Sequence, residues 1–147
     1  GIRSPGLTSA PAIADYAAEL LAADGLDLTE KDSYIDSREK VHFNRLSAAE
    51  RKALIEKNPA YGRVICRCET VTEGEILDAI HSPIPPVSVD GIKRRAGAGM
   101  GRCQGGFCGP RVVDLLAREL GVSPLTILQD RDGSEILTAY TKGEVRA

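Results

Sequence analysis

The stretch GMGRCQGGFCGPRVVDLLARELG, residues 99–121, sets Cys103 and Cys108 in a glycine-rich loop that runs directly into a helix. Pro110 suits a first helical turn. Val112, Val113, Leu115, Leu116 and Leu120 recur at helical spacing, and Gly121 supplies the stop. The loop ahead of this helix has little apolar content and too much glycine to order itself by burial. Its thiols therefore ask for an occupant. The other two of the chain's four cysteines, Cys66 and Cys68, stand one residue apart in VICRCET, residues 64–70.

Three chemistries compete for the pattern Cys66-x-Cys68 and Cys103-x4-Cys108. Disulfides suit secreted chains, and a Cys66–Cys68 bond would close a small, strained ring. Structural zinc favours pairs separated by two to four residues, above all C-x2-C knuckles, and one C-x-C pair fits that poorly. A 2Fe–2S cluster needs two thiolates on each iron. A C-x4-C gap lets the chain arch over bridging sulfide, as plant-type ferredoxins do. Gly97, Gly99, Gly101, Gly105 and Gly106 let the backbone approach and turn N–H groups toward sulfur, with positive φ expected among them. Cys108 lies against the N-terminus of the following helix, whose dipole favours a thiolate. Lys93, Arg94, Arg95 and Arg102 flank the loop, either to offset cluster charge or as an ordinary solvated face. Met100 and Phe107 read as a shield against water, with ordinary core as the alternative for Phe107.

Outward from the cysteines the chain reads as short helices with irregular links. Ser47 with Glu50, and Thr72 with Glu75, stand at capping-box spacing. Ser88 caps a helix that dissolves into glycines, and Ser123–Pro124 restarts one. Asn58–Pro59 ends the helix begun at Ser47, and GRVICRC is extended. At the start, SPGLTSAPAIADYAAELLAADGL predicts a helix over about 9–24, capped by Thr8 or Ser9, with Pro11 in its first turn and an apolar stripe of Ile13, Tyr16, Ala17, Leu20 and Leu21. Residues 26–46 lack a period and read as a linker. The tail, SEILTAYTKGEVRA, is expected to hold one short strand. His42 and His81 read as solvated or locally hydrogen-bonded, and Asp78, Asp90 and Asp114 as surface or capping groups. No nucleophile with a positioned base is visible.

The motifs CRCETVTEGEI and GMGRCQGGFCGPRV resemble the bacterioferritin-associated ferredoxin-like 2Fe–2S domain, in the form carried at the C-terminus of FAD-dependent oxidoreductases of the anaerobic glycerol-3-phosphate dehydrogenase type. The resemblance covers roughly residues 60–128. It implies a mostly α-helical 2Fe–2S-binding domain with Cys66, Cys68, Cys103 and Cys108 as ligands. It also likens GIRSPGLTSAPAIADYAAELL to the last loop and helix of that family's FAD domain, which implies that Gly6, Leu7 and Thr8 lie near the flavin. GAGMGRC follows a helix and abuts a cysteine, so it is no dinucleotide loop, and most of an FAD domain is missing.

The organisation expected is 1–25 as the end of an FAD-binding domain, 26–59 as linker and helix, 60–130 as the ferredoxin-like domain and 131–147 as a tail. The implied role is relay of electrons from FAD to a partner subunit or other acceptor protein. The fragment alone would be inactive, and its first helix would seek the missing FAD domain or a second copy of the chain. A metal-stapled docking module, a free-standing ferredoxin, and the same module on an amino-acid or hydroxy-acid dehydrogenase are the rival readings. Among 147 residues, acids and bases are interspersed with a net charge of −2, which speaks against a nucleic-acid surface. No apolar run approaches the ~20 residues of a membrane helix. With no signal peptide visible, a cytoplasmic location is expected, peripheral to a membrane only through a partner.

Overall fold

The computed structural model describes residues 3–35, 37 and 39–142. It divides into two units, residues 1–39 and 40–147.

The first unit is built on one helix, α1 (Gly6–Ala23), none of whose residues is buried. The helix begins three residues ahead of the predicted start. Its N-cap is Pro5, which offers no side-chain acceptor, so Thr8 and Ser9 lie inside the helix rather than at its cap. The first bond closes from the Ser9 N–H to the Pro5 carbonyl. Pro11 is thereby an interior residue. It cannot donate to the Leu7 carbonyl, a loss that water can cover because Leu7 is 93% exposed.

The second unit is mostly helical. Its elements are α2 (Ala48–Lys57), a two-stranded antiparallel hairpin of β1 (Val64–Cys66) and β2 (Val71–Thr72), α3 (Glu73–Ile80), α4 (Val89–Ala96) and α5 (Gly109–Leu120). Short 3-10 turns cover Phe43–Arg45, Pro59–Gly62 and Pro124–Thr126. The expected caps are present. Both capping boxes form, at Ser47–Glu50 and Thr72–Glu75. The Ser88 hydroxyl accepts from the Gly91 N–H, and Gly97 and Gly121 close α4 and α5 in the left-handed region.

The core sits where α3, α4 and α5 converge: Ile76, Ile80, Ile92, Val112, Leu115, Leu116 and Ile127 are all buried. Cys66 and Cys108 belong to this same cluster. The core continues into the stretch read as linker and helix. Phe43 is buried, its backbone N–H donates to Glu75, and Arg51 lies over its ring. Tyr61 is buried against Gly74 and donates its hydroxyl to Asp78. Residues 40–62 accordingly belong to the unit that carries the cysteines.

The buried carboxylate of Glu73, at the start of α3, joins two distant pieces of chain. It accepts from Arg63 at 2.9 Å and from Arg118 of α5 at 3.0 Å. No strand forms in the described part of the tail. The turn at residues 131–134 closes a single antiparallel bridge, Leu128 to Glu135, after which no further backbone pairing follows among the described residues and the Tyr140 hydroxyl meets that of Ser123 at 3.5 Å. Residues 143–147 of the predicted strand region lie outside the described residues.

Candidate metal centre

The hairpin delivers Cys66 at the end of β1 and Cys68 in the turn that follows; the glycine loop between α4 and α5 brings Cys103 and Cys108 to meet them. All four are free thiols. They do not pair as sequence neighbours. The Cys68 and Cys103 sulfurs lie 3.5 Å apart on the outside, and Cys66 and Cys108 share the buried core cluster. Two thiolates on one tetrahedral metal at about 2.3 Å stand roughly 3.8 Å apart, so the outer spacing suits a shared metal. Among the described residues, no three His, Cys, Asp or Glu side chains converge to hold a single ion.

The two pairs have different surroundings. Cys66 and Cys108 are 1% and 2% exposed, whereas Cys68 is exposed and Cys103 half-buried. The backbone N–H of Phe107 lowers the Cys103 pKa most, followed by the Cys68 thiol and the N–H groups of Gly105 and Gly106. The Gly106 N–H itself donates to the Cys103 carbonyl at 3.0 Å, which turns the loop tightly around this cysteine. Burial pushes the Cys108 thiol up to about 11, with Cys66 beside it adding to the shift. The donor set therefore fits a sulfur-ligated anionic group whose charge is taken up on the loop side by amides.

The glycines divide by role. Gly97, Gly99 and Gly105 take positive φ as expected, while Gly101 and Gly106 do not. Gly101 is required by close approach: a Cβ there would sit 2.2 Å from the Cys68 Cβ and 2.9 Å from Glu69 Oε1. It is the point at which the two cysteine loops touch. Gln104 takes φ 47, unusual outside glycine, and its side-chain amide donates to the carbonyls of Met100 and Gly101. Sequence reasoning passed over Gln104. Its one signal was a non-glycine inside a glycine run.

Phe107 is 81% exposed and Met100 57%, so neither belongs to the core. Of the flanking cations, Arg94 is tied to Asp130, while Lys93 lines a cavity of about 400 Å³ between α4, the glycine loop and the α5 N-terminus. His81 pairs with Glu119 at 2.8 Å, a local role as expected. Gly6, Leu7 and Thr8 form the first turn of α1 and line an open depression with Ser4, Pro5 and Ala10.

Residues 64–118 match the family model of the BFD-like [2Fe-2S] binding domain, which places this stretch in that class of domain. The similarity extends beyond the module. Over 147 residues, 99% of this chain, it is 49% identical to a glycerol 3-phosphate dehydrogenase of Caloramator mitchellensis, of which it spans 31%. It is 37% identical over 95 residues to hydrogen cyanide synthase subunit HcnB of Pseudomonas aeruginosa, covering 57% of this chain and 20% of that one. It is 35% identical over 66 residues to an anaerobic glycerol-3-phosphate dehydrogenase chain of Escherichia coli K12, covering 45% and 12%. The chain thus corresponds to less than a third of each of these relatives. No solved structure matches it. Among the described residues no helix is long and apolar enough to cross a membrane.

Proposed function

We propose that this chain is the C-terminal part of an FAD-dependent glycerol-3-phosphate dehydrogenase, in which Cys66, Cys68, Cys103 and Cys108 hold a 2Fe–2S cluster that relays electrons from FAD to an acceptor protein. The observation that carries the reading is the convergence of four free thiols, with Cys68 and Cys103 at 3.5 Å and Cys66 and Cys108 in one buried cluster, inside the stretch that matches the 2Fe–2S family model. Similarity along the whole chain to a glycerol 3-phosphate dehydrogenase supports the substrate class.

When bound, FAD takes an electron pair from the substrate and a 2Fe–2S cluster carries single electrons onward. The chain's own residues do the rest. Cys66, Cys68, Cys103 and Cys108 would hold the two irons. The backbone amides around Cys103, that of Phe107 foremost, would favour negative charge on its sulfur. The apolar core around Cys66 and Cys108 keeps water from the inner pair. Residues 1–25 would complete an FAD-binding domain, with Gly6, Leu7 and Thr8 toward the flavin. Residues 26–59, of which 40–59 belong to the unit that carries the cysteines, would connect that domain to the ferredoxin-like domain at 60–130, with 131–147 as its tail.

Anaerobic reconstitution tests the reading. We expect about two irons and two sulfides per chain, and an EPR signal on one-electron reduction. Each Cys→Ser change at the four positions should sharply lower iron retention. Stoichiometric zinc without sulfide after the same treatment would overturn the proposal.

A further inference from the structure

We infer that the outer edge of the cysteine site, formed by Arg67, Met100, Arg102 and Phe107, is a docking surface for an acidic electron-acceptor protein. The inference rests on the relay reading above. The four residues are brought together by the geometry of the site. Cys68 and Cys103 meet at 3.5 Å, Gly101 abuts Cys68, and the Gly106 N–H donates to the Cys103 carbonyl at 3.0 Å. Each of the four lies within one or two residues of one of these contacts.

The approach to the site is one-sided. Cys66 and Cys108 are closed off by the core, so a partner reaches the site through exposed Cys68 and half-buried Cys103. Phe107 and Met100 stand in solvent on that side, at 81% and 57% exposure. Phenylalanine, methionine and arginine are residue types enriched in protein interfaces.

The charge of this edge selects the partner. Arg67 and Arg102 are exposed and take part in no ion pair among the described residues. The chain's charge is divided in the same sense. Residues 1–39 hold eight acids and three bases, a net −5, whereas residues 40–147 hold thirteen acids and sixteen bases, a net +3. A basic rim around an apolar centre accelerates encounter with an acidic surface by about 10- to 1,000-fold, an effect that falls as salt rises.

The test uses the full chain loaded with its cluster, reduced, and mixed in stopped flow with oxidised plastocyanin, an acidic copper protein, or with cytochrome c, a basic haem protein. We expect plastocyanin reduction to slow about tenfold or more from low to high salt. Arg67→Glu with Arg102→Glu should slow plastocyanin at least tenfold and speed cytochrome c. A shift in cluster potential would move both rates the same way, so the inversion isolates docking. Met100→Ser with Phe107→Ser should slow plastocyanin even at high salt. If the glutamate variant fails to load, Arg67→Gln with Arg102→Gln should give the same inversion at smaller size. Plastocyanin rates that ignore salt and change less than twofold in the charge variants would overturn the docking surface while leaving the relay standing. A reduced cluster that passes electrons to neither protein would overturn both. Self-association of the chain, abolished by these same substitutions, would assign the face to a second copy and overturn the inference as well.

Discussion

At the scale of single residues, two glycines separate the reasons for which a site employs this amino acid. Gly101 has ordinary φ but no room, with the Cys68 Cβ 2.2 Å from where its own would stand. Gly101→Ala must therefore push the hairpin turn and the glycine loop apart. We expect a destabilisation of about 1–3 kcal/mol together with a severalfold loss of iron per chain after reconstitution. Gly97 is the converse: it has φ 82 and nothing within 4 Å of where a Cβ would stand. Gly97→Ala should cost about 1–2 kcal/mol by thermal or urea unfolding and leave iron content unchanged. Finding the two variants alike in iron content would show that the close approach at Gly101 does not set the sulfur spacing. Glu73 makes a similar point about reach. Its two arginine partners come from residues 63 and 118, a joint that no local pattern announces.

At the scale of elements, what was legible in the sequence was what is settled within a few residues. Ser47, Thr72, Ser88 and Ser123 cap where a short acceptor side chain precedes a helical period, because the bond closes over two or three residues. The start of α1 was missed because Pro5 caps without a side chain, so that Thr8 and Ser9 looked the better candidates. The strand expected in the tail does not form among the described residues because a strand depends on a partner, and Leu128 offers Glu135 a single rung. The four cysteines stood out by type and spacing. Their cross-pairing did not, since it depends on how the hairpin turn meets a loop some 35 residues away. Two outcomes follow for the helices. Leu116, fully buried on α5, should cost about 2–5 kcal/mol when changed to Ala. In the metal-free protein, amide exchange should be fast over 97–108, where the loop is held by isolated turns, and slow over 112–120. Uniformly fast exchange would mean that the helices do not pack without metal.

For the whole molecule, the two units differ in self-sufficiency. The second has a continuous core, whereas none of the described residues of the first is buried. In α1, Tyr16, Leu20 and Leu21 are each at least half exposed. Apolar area left in water costs roughly 25 cal/mol per Å², so this helix should acquire a partner. In the isolated chain we expect a concentration-dependent dimer by sedimentation, shifted toward monomer by Leu20→Asp. Deleting residues 1–25 should leave cluster loading of the second unit intact, measured as iron and sulfide per chain. Loss of loading on that deletion would mean that the first helix supports the cysteine site.

Half of the cysteine set is also half of something else. Cys66 and Cys108 lie among the isoleucines, valines and leucines that close the domain, and Cys68 and Cys103 do not. A substitution scan of the metal-free protein, scored by folding alone, would rank the first two with Ile76 and Leu116 and pass over the second two as tolerant surface. Such a scan would divide four chemically equivalent thiols along the boundary between the interior and the solvent.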